Sequence, residues 1–160
     1  EVQDCIKAAR PDHPNYGGLY GVATRRNSYM EYGGTAEYVE AVGDTVLAFM
    51  IEKKGAVENL EEILELPDVE MVQWGGSDFS MNIGHPDEMD HPDVLAAQKK
   101  TFLTAIEMGV PPRAEIETAD ETKKYLDWGV RHFSVGTDIT ILHSFWRAEG
   151  EKILRALEGE

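Results

Sequence analysis

Two carboxylates, Glu52 and Asp78, each stand where an apolar run of strand character stops. Leu47-Ala-Phe-Met-Ile51 precedes the first, and Met71-Val-Gln-Trp74 leads through Gly75-Gly76-Ser77 to the second. In parallel α/β proteins ligands bind at the carboxyl ends of strands, so this pattern directs two oxygen ligands to one rim. Such a pair suits a hard divalent cation, Mg²⁺ or Mn²⁺ with Co²⁺ as a third choice, because these ions take oxygen ligands and keep positions open for water and substrate. Glycines after a strand allow close backbone approach, and the amides that begin the following turn can hold a carboxylate or phosphate. The competing reading is a tight turn with Asp78 as a helix cap. Zinc would recruit His or Cys instead. None of the five histidines (His13, His85, His91, His132 and His143) has metal-ligand spacing to another, and they read as surface or helix-flanking residues. Cys5, in a helix, is no candidate nucleophile.

The elements that must position the two carboxylates follow from hydrophobic periodicity and its punctuation. Glu1 to Arg10 reads as a helix. Residues 11–34 hold two prolines, five glycines and four tyrosines with neither helical nor strand periodicity, and read as a long loop. A short helix from Thr35 to Ala41 leads into a strand from Thr45 to Ile51. A helix over 56–64 follows and is stopped by Pro67, and the next strand runs from Val69 to Trp74. After the Gly-rich turn, a helix from His91 to Met108 has Pro92 near its first turn and Gly109 just past its end. Arg113 to Ile116 is a third strand, and Thr118 with Glu121 has the spacing of a capping box that opens a helix ending at Gly129. His132 to Val135 is a fourth strand. A last amphipathic helix spans Ile141 to Leu157 and carries Leu142, Phe145, Trp146, Ile153 and Leu154.

Strands alternating with helices predict an α/β fold with a parallel sheet and right-handed crossovers. Glu52, Asp78, Glu115 or Glu117, and Asp138 fall at or just past successive strand ends, which favours the rim of a barrel over an open sheet. The alternative for Glu115, Glu117 and Asp138 is that they cap helices or face solvent. An open doubly wound sheet would more often carry a Gly-rich phosphate turn after its first strand, and Lys53-Lys54-Gly55 lacks that pattern. The chain of 160 residues is short of the roughly 250 of a closed eight-stranded barrel.

Thirty acidic residues against fifteen basic ones give a formal charge of −15, which repels a phosphate backbone and argues against nucleic acid. A single cysteine cannot form an internal disulfide, and no apolar run approaches a membrane span, so a reducing, cytoplasmic setting is expected. The chain opens at Glu1 without an initiator Met or signal-peptide pattern, which suggests a piece of a longer protein.

Four motifs, taken together, carry a resemblance. They are Ile51-Glu52; Gly75-Gly-Ser-Asp78-Phe-Ser80 through Gly84; His91-Pro-Asp-Val94; and Val135-Gly-Thr-Asp138-Ile-Thr-Ile-Leu142. In order and approximate spacing they resemble the HpcH/HpaI aldolases, a family of metal-dependent class II pyruvate aldolases, over nearly the whole chain. The resemblance implies a TIM barrel of the phosphoenolpyruvate/pyruvate type, with residues 1–160 as one partial domain supplying the second half, strands five to eight. It implies that Glu52 and Asp78 are metal ligands and that Gly76 and Ser77 help hold the carboxylate of pyruvate. The metal would then act as a Lewis acid on a pyruvate enolate formed by carbon–carbon cleavage, with an aldehyde as the second substrate and no Schiff-base lysine.

Departures from the family pattern are equally specific. Met50 stands where the family often has a Gln that contacts substrate, and Leu19-Tyr20-Gly21 replaces a usual Arg-Gly pair. The family's base His, an Arg and a supporting Asp would come from the first half of the barrel, so no catalytic residue is expected in this chain and it should be inactive alone. A half-barrel exposes sheet edges and calls for a homo-oligomer or a missing half as partner. The helix over 139–160 would then be swapped or interfacial through Phe145, Trp146 and Leu154, or else pack on its own barrel. Two alternatives stand beside the aldolase. One is an acyl-CoA lyase of the citrate lyase β-subunit type, for which this acidic chain shows no basic CoA-binding surface. The other is a non-catalytic half-barrel that serves as an interaction module.

Overall fold

The four apolar runs pair side by side in chain order, all parallel, as strands β1 (Ala48–Ile51), β2 (Met71–Trp74), β3 (Pro112–Ile116) and β4 (His132–Val135). The structure is a computed structural model that describes residues 1–21 and 35–159. The part of the expected loop over 22–34 lies outside the described residues. Helices α1 (Val2–Ala9) and α2 (Ala36–Gly43) precede the sheet; α3 (Lys54–Glu58) and α4 (Leu60–Leu64) join β1 to β2. Helices α5 (Gly76–Asn82) and α6 (Pro92–Glu107) join β2 to β3, α7 (Thr122–Trp128) joins β3 to β4, and α8 (Asp138–Glu158) ends the chain.

Local chemistry accounts for most of these boundaries. Glu121 Oε1 accepts from the Thr118 amide at 2.9 Å, which fixes the turn before α7 as its spacing predicts. Gly109, at φ 80°, takes the left-handed position that releases the chain just past α6. Three expectations needed correction. The single helix expected over 56–64 is two short ones that meet at Asn59, whose φ of −110° and ψ of 29° leave the helical range. The first strand starts at Ala48 instead of Thr45. The last helix begins at Asp138, earlier than periodicity suggested, because Thr137 and Thr140 cap it reciprocally.

Period-two alternation divides each strand between two environments. Ile51, Val72, Trp74, Ala114 and Ile116 are buried against the helices, where Val94, Thr101, Phe102 and Ala105 form the inner stripe of α6. Leu60, Val72 and Val130 are wholly buried, and each such side chain contributes about 1.5–3 kcal/mol. The other set of strand residues is more polar. Register aligns Met50, Gln73, Arg113 and His132 across the sheet, and Glu115 with Ser134. Arg113 Nη2 donates to Gln73 Oε1, and Gln73 Nε2 donates to Glu115 Oε1 at 2.6 Å, so a continuous polar chain links β2 and β3.

At the amino ends of β1 and β2 one side chain ties the first twenty residues to the sheet. The buried Arg10 guanidinium donates to Asp68 Oδ1 at 2.7 Å and Glu70 Oε2 at 2.8 Å, and also to the carbonyls of Gly43 and Thr45. Burial opposes its charge, but hydrogen bonds and attraction from Asp68 and Glu70 outweigh that and hold its pKa above the ordinary value. None of the residues of α8 is buried, and Phe145 and Trp146 are 61% and 65% exposed, so they do not pack on this chain's own sheet. Among the described residues no helix is long and apolar enough to cross a membrane.

Arg10→Met should lower the free energy of unfolding by about 2 kcal/mol, the scale of a lost hydrogen bond to a charged group, because Asp68 and Glu70 are open enough to regain water. Urea denaturation followed by far-ultraviolet dichroism measures it, and an unchanged midpoint would deny the clamp its role.

Candidate functional site

Glu52 directly follows β1, and the chain after β2 comes beside it. The pairing of Ile51 with Trp74 continues one step further through the Gly75 amide, which donates to Ile51 O at 3.0 Å. That bond brings Gly75 against Glu52. A Cβ added at Gly75 would lie 2.6 Å from Glu52 Cβ, 2.8 Å from Glu52 Oε2 and 2.9 Å from Met50 Cγ. Only a residue without a side chain allows this approach.

The segment expected to be a turn is instead the first turn of a helix. Gly75 is the N-cap of α5, and Phe79 N closes the turn by donating to Gly75 O at 2.9 Å. Gly76, Ser77 and Asp78 are therefore the first three helical residues, whose amides have no acceptor within the helix. Phe79 anchors the helix by packing against Trp74 at 4.7 Å between ring centroids, and Ser80 Oγ donates to Ser77 O at 2.9 Å. Asp78 is exposed beside those amides, in the first turn.

A cavity of about 260 Å³ opens here, with Gly75, Gly76, Ser77 and Asp78 along one side and Met50, Trp74, Met89 and Glu115 around the rest. Glu115, for which rim and solvent readings were both open, thus shares a cavity with Asp78. Glu117 is exposed, and Asp138 is the first residue of α8, with Oδ1 accepting from the Ile139 amide at 2.8 Å; neither lines this cavity. Glu52 opens onto a larger cavity of about 750 Å³ that runs along α1 and β1 and includes Cys5, Phe49 and Lys53. Met50 lines both, so the two carboxylates face adjoining spaces. The smaller space is the better candidate site, because it collects the free amides and two carboxylates, whereas the larger one lies among α1, β1 and the α3–α4 segment.

The histidines also needed correction. His85 and His91 stack with ring centroids 3.7 Å apart, and with Glu88 they form the one group among the described residues in which three His, Cys, Asp or Glu side chains bring ligand atoms within 4.8 Å of one another. The signal was present in sequence as a repeat, His85-Pro86-Asp87 and His91-Pro92-Asp93. Spacing alone does not reveal the group, because the two imidazoles are brought together by the path of a loop.

Residues 10–144 match the sequence pattern of the HpcH/HpaI aldolase/citrate lyase family. This chain belongs to that family. Among curated relatives, it is 28% identical over 143 residues to a 4-hydroxy-2-oxo-heptane-1,7-dioate aldolase of Escherichia coli, covering 89% of this chain and 53% of the relative. A 5-keto-4-deoxy-D-glucarate aldolase of Shigella boydii is 27% identical over 128 residues, covering 79% of this chain and 49% of the relative. The chain spans about half the length of the curated relatives it matches. Among solved structures, an HpcH/HpaI aldolase/citrate lyase family protein from Burkholderia cenocepacia superposes with a TM-score of 0.76 at 21% identity, over 95% of this chain and 60% of that one. Macrophomate synthase superposes with a TM-score of 0.77 at 18% identity, over 99% of this chain and 56% of the other. The α/β fold with its small parallel sheet is therefore that of the family's barrel.

Gly75→Ala should force Glu52 and the start of α5 apart and destabilise the protein by about 1–3 kcal/mol, as overpacking does. Gly55→Ala is the control, since nothing lies within 4 Å of an added Cβ there. Thermal melts of the two variants should diverge, and equal midpoints would show that the close approach imposes no constraint.

Proposed function

We propose that this chain supplies the cation- and carboxylate-binding part of a divalent-metal-dependent carbon–carbon lyase acting on 2-oxo acids, in the manner of a class II pyruvate aldolase. The observation that carries the reading is the contact of Glu52 with Gly75, which sets one carboxylate against the helix start that bears the other. The donor set fits a hard cation: two carboxylates from adjacent strand ends, with Gly75 leaving room between β1 and α5. Glu52 and Asp78 would hold Mg²⁺, Mn²⁺ or Co²⁺, which when bound would supply Lewis acidity to the oxygens of a 2-oxo acid.

This chain's own residues have the remaining tasks of binding and orientation. The amides of Gly76 and Ser77 are free of helical acceptors and sit at the positive end of α5, suited to the carboxylate of pyruvate. Trp74 and Met89 wall the cavity with apolar surface, which limits water around a bound oxo acid. Met50 gives the cavity no hydrogen bond at the place where the resemblance calls for Gln. The four strand-helix units are read as strands five to eight of the barrel, with an aldehyde as second substrate and its contacts, like the proton-transferring groups, outside this chain. The exposed apolar face of α8 supports an oligomer. An acyl-CoA lyase is the less favoured reading, since a formal charge of −15 disfavours a polyphosphate-bearing cofactor.

In the full-length protein, Glu52→Ala and Asp78→Ala should each reduce pyruvate-forming cleavage of a 4-hydroxy-2-oxo acid by roughly a hundredfold or more and weaken Mn²⁺ binding seen by electron paramagnetic resonance. Wild-type Mn²⁺ affinity in either variant would sink the ligand assignment. Retained Mn²⁺ binding sites with no cleavage of any such acid by the wild type would sink the reaction.

A further inference from the structure

The loop between α5 and α6 gathers metal-ligating side chains that the proposed reaction does not use. Its backbone makes two successive four-residue turns: Glu88 N donates to His85 O at 3.1 Å, and His91 N donates to Glu88 O at 3.0 Å. Together the two turns bring ligand atoms of His85, Glu88 and His91 within 4.8 Å of one another. Between them Asp87 has φ 65°, a left-handed conformation uncommon outside glycine, which turns the chain tightly enough to close the group. The two imidazoles stack at 3.7 Å with 23° between their planes, and Glu88 Oε2 lies 3.4 Å from His85 Nδ1.

Helix capping accounts for only part of this. His91 Nδ1 accepts from the Asp93 amide at 3.2 Å and so starts α6, which leaves its Nε2 for another partner. Capping calls for neither a second imidazole against the first nor the carboxylate of Glu88. We propose that His85, Glu88 and His91 bind one divalent cation of the imidazole-preferring class, Zn²⁺ above all, in a site separate from Glu52 and Asp78. Two imidazoles and one carboxylate form a set of three protein ligands that leaves a fourth position open. Tetrahedral coordination with Zn–N bonds of about 2.0–2.1 Å sets ligand atoms about 3.3 Å apart, so the present group closes by turning its partly exposed side chains. Mg²⁺, which prefers oxygen ligands and dehydrates reluctantly, does not compete for it. The loop also carries Met89, a wall of the Asp78 cavity, so a cation here holds that wall in place.

The test uses tag-free, full-length protein stripped of metal and titrated with Zn²⁺ against a chromophoric chelator, in excess Mg²⁺ to fill hard-cation sites. The wild type should take up a Zn²⁺ that Mg²⁺ does not displace. His85→Gln and His91→Asn should each weaken it by more than the roughly 10–100-fold that loss of an outer partner costs, while Glu52→Gln leaves it unchanged. Asn is itself a strong N-cap residue, so His91→Asn keeps the start of α6 while it removes the imidazole. Unchanged Zn²⁺ affinity in both histidine variants, displacement by Mg²⁺, or loss of the ion in Glu52→Gln would overturn the proposal.

Discussion

The hydrogen bond from the Gly75 amide to Ile51 O is the constraint on which the candidate site depends. Four parallel strands send all their carboxyl ends to one rim, but parallel order alone does not decide which residues meet there. The register of β1 against β2 does, and its continuation one residue past Trp74 sets Gly75 beside Glu52. A slip of one residue would turn Glu52 toward the helix layer and Ile51 out of it, exchanging a buried apolar side chain for a carboxylate. The core therefore enforces the site: Ile51, Val72 and Trp74 hold the register that presents Glu52, and Phe79 against Trp74 holds the helix that presents Asp78.

Apolar packing on one face and a more polar set of side chains on the other follow from the same alternation. The helices take the apolar residues of each strand, and the remaining residues form the linked Arg113, Gln73 and Glu115 chain beside Met50, His132 and Ser134. In a closed barrel the inner face is filled by layers of side chains from several strands, and these residues occupy the corresponding positions here. Glu115 joins the two regions, since it ends the polar chain and also lines the Asp78 cavity.

Much of the fold was legible because its signals are local. The strands ending at Ile51, Trp74 and Val135, though the first two start two or three residues later than expected, Pro92 and Gly109 at the ends of α6, and the Thr118 and Glu121 cap each depend on a few neighbouring residues. What failed was also local, but decided by competition. Asn59 breaks a helix that apolar spacing favoured, and Gly75 and Gly76, residues that suggest a turn, open a helix because Phe79 has a buried partner in Trp74. Burial outweighed the low helix propensity of Gly76, at most about 1 kcal/mol. Arg10, lying 58 and 60 residues from its partners Asp68 and Glu70, gave no sign in sequence of being buried.

By itself the sequence determined the parallel α/β order, the family, and the two carboxylates at strand ends, because residue type and period fix where strands stop and which way they run. Only the tertiary structure decided that Glu52 lies against Gly75, that Glu115 and not Asp138 shares the Asp78 cavity, and that His85, Glu88 and His91 come together. The first two are contacts between segments whose separation along the chain carries no periodic signal, and the third depends on the path of the loop between α5 and α6. Register, loop path and the packing of Met50 and Met89 set them, and those arise only when the whole sheet and its helix layer are assembled.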